Sequence, residues 1–198
     1  MTDRETGILE AACRVIAREG ADGLRMGAVA REAGVSSALI HYYFATRSDL
    51  LVNAFEHADR EADKAATRAI EGIPLAADRL ARLLVVYAAA DPVFREDWIL
   101  WVEMWRSAIF DERLRSSVSA SNRAWADQVA DLIRDGAEDG SIPPVADVDL
   151  VTLRLTAVVD GLGLQIISGL ISHEVAADVI RSAIEQELAV TLTKESLV

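Results

Sequence analysis

Met26-Gly-Ala-Val-Ala-Arg-Glu-Ala-Gly-Val-Ser-Ser-Ala-Leu-Ile-His-Tyr-Tyr-Phe44 is the stretch whose reading decides this chain. Two short apolar runs meet there across Gly34-Val35-Ser36. Ala30 is small enough for a second helix to approach closely. Gly34 supplies the left-handed backbone that ends a first helix, Val35 and Ile40 plug a shared core, and Ser36 caps the next helix. The pattern predicts helices over 26–33 and 37–43 arranged as a helix-turn-helix, with a short second helix of the kind that enters a DNA major groove. A plain helical hairpin uses the same turn residues, so the flank carries weight. Tyr42, Tyr43 and Phe44 close the second helix, and Thr46-Arg47 opens another. A helix start offers unpaired N–H groups and the positive end of the helix dipole. Arg47 adds a full charge, and the combination suits a phosphate.

Outward from this segment, the periodicity is helical nearly throughout, with four prolines and eleven glycines in 198 residues. Apolar stripes at a 3.6-residue period predict further helices over 4–19, 46–72, 75–90, 92–109, 111–137, 147–171 and 174–194. No window alternates with period two. The fold is read as all-α, with about nine helices: a head over 1–50 that binds DNA and a body over 51–198. Thr46-Arg47-Ser48-Asp49 reads as a capping box, with Thr46 accepting from the third helical N–H and Asp49 reaching back.

Composition first argues against the nucleic-acid reading. Hydrophobic residues make up 52% and charged residues 26%, which marks a globular chain, but the net charge is −12. Split by region, residues 1–50 hold six arginines against seven acids, a balance of −1, and the rest carries −11. Between Arg25 and Arg47, Arg31 adds to those two and only Glu32 opposes them. The acid lies in the body. A single cysteine, Cys13, excludes a disulfide framework and fits a reducing, cytoplasmic setting. Residues 1–20 lack a signal peptide's apolar core. The longest apolar stretch, Leu155 to Ile171, contains Asp160 and Gln165 and reads as too short and too polar to span a membrane.

At this point the head resembles the TetR family of transcriptional regulators. The resemblance covers about residues 5–52 and rests on the Ala-Gly-Val-Ser turn, the Tyr-x-x-Phe-like element and Phe-x-x-[Lys/Arg]-x-x-Leu. The family usually has lysine at the position of Arg47, serine or threonine at Arg25 and commonly tyrosine at His41. The resemblance implies that Ser37, Ala38 and Tyr42 face base edges, with His41 a further reader. Ser36, Tyr43, Thr46, Arg47 and Arg25 would position the DNA backbone. Phe44 reads as core.

The body offers two features. Trp98, Trp101, Trp105 and Ile109 recur at helical spacing, and Tyr87, Phe94 and Trp125 complete a candidate aromatic cage. Such a stripe is often plain core, but three tryptophans in eight residues exceed what packing needs. Glu103, Asp160 and Gln165 sit inside apolar runs. A buried carboxylate needs a partner, either an internal one such as Arg106 or a ligand cation. Rings with carboxylates suit a cationic or amphipathic ligand. The second feature is the final hairpin: Leu155, Val159, Leu162 and Ile166 on one helix, Ile180, Ile184 and Leu188 on the next. Paired with its copy across a two-fold axis, it predicts a four-helix dimer interface. The region from Trp98 to Leu188 is similar to the ligand-binding and dimerisation half of BetI-type TetR regulators.

No catalytic constellation emerges. The three histidines are scattered, and there is no Gly-rich phosphate loop, His-Glu-x-x-His or Gly-x-Ser-x-Gly. The reading is therefore no enzyme, cofactor or metal. The resemblance implies a homodimeric repressor released from a pseudopalindromic operator on double-stranded DNA by an unknown small-molecule effector, without membrane attachment. The rival reading is a helical adaptor whose head contacts protein.

Overall fold

The computed structural model describes residues 2–88 and 94–192, with side chains throughout except at 94–97. Among the described residues it contains nine α-helices and no strand. They are α1 (Asp3–Gly23), α2 (Met26–Ala33), α3 (Ser37–Tyr43), α4 (Arg47–Ile70), α5 (Ala76–Tyr87), α6 (Phe94–Ala108), α7 (Glu112–Asp139), α8 (Val148–Ile167) and α9 (His173–Leu188). Local chemistry sets many of the ends. Thr2 and Glu5 form a capping box on α1. Ser36 accepts the Leu39 N–H at 3.2 Å to start α3. Asp147 accepts from Leu150 at 2.9 Å to start α8, and Ser172 from Val175 at 3.4 Å to start α9. The reciprocal Thr46–Asp49 box read from the sequence is present, at 3.0 and 3.1 Å.

The chain divides into two compact units. The first joins Met1–Asp63 to Arg95–Ser121, and the second joins Lys64–Phe94 to Asn122–Val198. The sequence reading set the division at residue 50. The difference arises because Leu100, Met104 and Ala108 of α6 and Leu114 and Val118 of α7 are buried in the same core as Ile8, Ile16, Leu24, Val29, Ile40, Leu50 and Phe55. No sequence feature marks that long-range packing. Each of these side chains except that of Ala108 contributes about 1.5–3 kcal/mol by leaving water.

In the second unit α5 packs against α8 and α9. Leu155, Val159, Leu162, Ile180, Ile184 and Leu188 are buried there and Ile166 is half-buried. The sequence reading placed these residues at a subunit interface; within the chain itself all but Ile166 are buried, since α5 packs against both helices of the hairpin. The apolar stripe left exposed on α8 is a different one: Leu150, Leu153, Ala157, Gly161 and Leu164. By length and composition α8, Val148–Ile167, is apolar enough to cross a membrane, as the core helix of a soluble protein also can be; its Val151, Leu155, Val159 and Leu162 are buried within the unit.

The predicted end of the first helix at Gly20 is a break and not a stop. Gly20 leaves helical geometry at φ 72°, ψ 173°, and one further turn follows. The break strands the Ala21 N–H, which donates to Glu103 Oε2 at 3.1 Å. Arg106 holds the same carboxylate at 3.2 Å and lies 3.6 Å from Asp22. Arg47 closes the other side: its guanidinium donates to the Leu24 carbonyl at 2.8 Å and to the Ala21 carbonyl. These are terminal carbonyls of α1, which a helix cannot satisfy by itself. The α1 end is thus gripped from α4 and α6 just before α2 begins.

Two stability predictions follow from these contacts. Arg47→Ala lowers stability by about 1–2 kcal/mol and Arg47→Lys recovers little of it, because two carbonyls need a forked donor. A pair of thermal melts with near-identical midpoints for Arg47→Ala and wild type would contradict this. At the end of α7, a Cβ on Gly136 would sit 2.4 Å from Cδ1 of buried Ile142. Gly136→Ala is expected to cost about 1–3 kcal/mol in denaturant unfolding, whereas Gly7→Ala, where nothing lies within 4 Å, costs nothing comparable.

Candidate functional site

The helix-turn-helix is built as its residue types require. Gly34 adopts φ 68°, ψ 30°, and the Val35 N–H turns back to the Ala30 carbonyl at 2.9 Å. Ala30 and Val29 are buried beneath α3, which packs on α2. Ile40 is fully buried and Leu39 half-buried, which fixes the roll of α3. Helical geometry then turns Ser37, Ala38, His41 and Tyr42 outward together. Tyr42 is 80% exposed, an unusual state for a large aromatic ring. Phe44 is buried, as expected of core.

The backbone-positioning set fares differently from residue to residue. Arg25 is exposed at the start of α2, makes no side-chain cap and has no ion-pair partner among the described residues. Ser36 is exposed while capping α3. Tyr43 is half-buried, with its hydroxyl 3.3 Å from Thr2 Oγ1 and its ring edge-on to Tyr42 at 5.2 Å. Thr46 is exposed, but its hydroxyl donates to Asp49 at 2.7 Å. Asp49 also receives Arg113 at 2.9 Å, and these two contacts, the Thr46 hydroxyl first, hold its carboxyl below the usual range. Arg47 is the departure. Its guanidinium, assigned to phosphate from the sequence, is committed to the α1 carbonyls.

The local positive balance therefore rests on other residues. Glu32, the one acid between Arg25 and Arg47, is bound by Arg14 at 3.0 Å and Arg18 at 3.2 Å, which lower its carboxyl pKa. Arg25 and Arg31 remain exposed without an ion pair among the described residues. Two participants were missed: Arg113, which reaches the start of α4 from 64 residues away, and Ala21, whose N–H takes Glu103 from 82 residues away. Nothing local in the sequence signals either.

The ligand set separates into two groups. In the first unit, Trp98, Trp101 and Trp105 line one side of α6, with ring centroids 6.0 Å apart for Trp98–Trp105 and 5.5 Å for Trp101–Trp105. Trp101 also packs edge-on against Phe55 at 4.7 Å, so part of this stripe is core. Glu103 is satisfied internally by Ala21 and Arg106. In the second unit, the Tyr87 and Trp125 rings lie 4.0 Å apart at 37°. Asp160 is half-buried without a hydrogen bond or ion pair among the described residues, and burial pushes its carboxyl up to about 6. Gln165 is exposed on α8. The Phe94 side chain lies outside the described residues.

Comparison with known proteins agrees with this arrangement. Residues 8–54 match the description "Bacterial regulatory proteins, tetR family", and residues 76–189 match "BetI-type transcriptional repressor, C-terminal". An HTH-type transcriptional regulator BetI from Agrobacterium fabrum is 32% identical over 146 residues, covering 68% of this chain and 71% of that protein. The BetI of Rhizobium meliloti is 26% identical over 159 residues, covering 80% of this chain and 75% of that one. A TetR-family regulator structure from Rhodococcus sp. superposes with a TM-score of 0.85 at 32% identity, over 95% of this chain and 100% of that one. A regulator from Saccharomonospora viridis, solved in complex with choline, gives a TM-score of 0.86 at 29% identity, over 95% and 98%. The helix-turn-helix, the all-α architecture and these matches along the chain place it in the TetR family of DNA-binding transcriptional regulators, with a BetI-type C-terminal region, and not among enzymes.

Proposed function

We propose that this chain is a cytoplasmic homodimeric repressor that leaves a pseudopalindromic operator when a small organic cation binds it. The observation that carries the reading is the outward face of α3, where Ser37, Ala38, His41 and Tyr42 stand exposed on a helix anchored from beneath by Ile40. Small and aromatic groups on such a face suit thymine methyls and base edges. Arg25 is the cation proposed for the phosphate backbone, with Ser36, Tyr43 and Thr46 around it and Arg47 holding the α1 end in place. The exposed stripe of Leu150, Leu153, Ala157, Gly161 and Leu164 is the surface proposed for the second subunit. Its small residues allow a close helix crossing, and a two-fold dimer would set the recognition helices about 34–36 Å apart.

The effector class draws on the choline complex of the Saccharomonospora viridis relative. It also draws on what the second unit offers, the Tyr87–Trp125 ring pair and an unpartnered carboxylate at Asp160. An effector that favours a conformer with wrongly spaced heads shifts the population off DNA, and by linkage DNA weakens effector binding equally.

A gel-shift of the purified protein on genomic fragments tests the reading. Salt-sensitive, palindrome-selective binding relieved by effector is expected; no binding at low salt would favour the adaptor reading. Tyr42→Ala is expected to cost about 1–3 kcal/mol on the operator and relax selectivity. Arg25→Ala should weaken all DNA binding and lower the salt slope by about one, while Arg47→Ala leaves that slope unchanged. An Arg47 slope change equal to that of Arg25 would return Arg47 to the phosphate.

A further inference from the structure

Thr152, Thr156 and Asp160 follow one another at four-residue steps along α8. At 100° per residue they fall within about 80° of the helix circumference and run about 12 Å along its axis. The line is polar on an otherwise apolar helix, and its hydrogen bonding is incomplete. Thr152 is 4% exposed, yet its hydroxyl oxygen has no hydrogen-bond partner. Thr156 donates to the Thr152 carbonyl at 3.0 Å, which leaves its oxygen free to accept. Asp160 is half-buried with no donor on either carboxylate oxygen among the described residues. Orphaned buried polar groups are rare, and the half-buried Asp160 carboxylate, one turn along α8 from the accepting oxygen of Thr156, calls for a partner that meets both.

We infer that this line is the polar wall of the effector site: Asp160 is the counter-ion for a quaternary or protonated ammonium, and Thr156 accepts the hydroxyl of the same molecule. The inference rests on the cationic-effector reading above and assigns its chemistry to residues. An anion or a neutral hydrocarbon would leave Asp160 without a partner, whereas a cation bearing a hydroxyl satisfies the carboxylate and Thr156 together. Three arginines on α5, α8 and α9 are committed to other acids. Arg79 lies 3.5 Å from Asp135, Arg154 pairs with Glu187 at 3.0 Å, and Arg181 with Asp178 at 2.6 Å. The remaining charged groups on α5 are Asp78 and Arg82, and on α9 His173, Glu174 and Glu185. None of them pairs with Asp160. Its raised pKa has burial alone as its cause.

The test is calorimetric titration of the full chain with choline and with its uncharged tert-butyl analogue, dimethylbutanol. Wild type is expected to bind choline and to prefer it to the neutral analogue. Asp160→Asn should lose about tenfold or more for choline and nothing for the analogue. Choline affinity should also fall as pH drops through about 6, where the folded carboxyl takes up a proton. Because burial disfavours the charged carboxylate, Asp160→Asn should melt no lower than wild type near neutral pH, which separates lost binding from misfolding. If Asp160→Asn binds choline as tightly as wild type, this assignment is overturned and the cationic-effector reading stands. If wild type binds neither choline nor tetramethylammonium, both fall.

Discussion

One hydrogen bond, from the Ala21 N–H to Glu103, sets the geometry on which the DNA-facing part of this chain depends. Gly20 breaks α1, the break leaves an amide without an acceptor, and a carboxylate 82 residues away takes it. Arg106 and Arg47 complete the grip on the last turn, from which the chain runs directly into α2. Leaving that amide unpaired would cost about 1–3 kcal/mol. Glu103 lies between Trp101 and Trp105 on α6. Two ligand-candidate rings and the group that fixes the recognition motif therefore share little more than one helical turn.

Much of the local architecture was legible because its causes are local. Gly34 in the left-handed region, Ser36 as a cap, the Thr46–Asp49 box and the outward set on α3 each depend on residues within four positions. The helical period needed no partner information. What escaped the sequence reading was long-range. Arg47 looked like a phosphate ligand because charge at a helix start suits an anion, but the carbonyls it meets belong to residues more than 20 positions earlier. Glu103 posed a fair alternative between internal pairing and a ligand, and only the fold chose. On α8, apolar residues cover more than one face, so hydrophobicity alone could not separate the side packed by α5 from the side left exposed.

The carboxylates show how one residue type serves several ends. Glu103 completes a broken helix, Asp49 caps one and Glu32 draws off two arginines. Asp160 stands apart, charged against its surroundings with burial opposing it. Proteins retain such a group at a loss of stability where it does something that packing does not.

The proposed reading face, on the helix Ser37 to Tyr43, contains no lysine or arginine. Its contribution to DNA affinity must come from shape, methyl contact and hydrogen bonding, which work only when the right bases are present. On an acidic chain such a helix gains little from random phosphate. A regulator of this kind is seldom titrated away by the roughly million-fold excess of non-operator sequence in a genome. Its occupancy of a matching site then depends on base contacts more than on bulk charge.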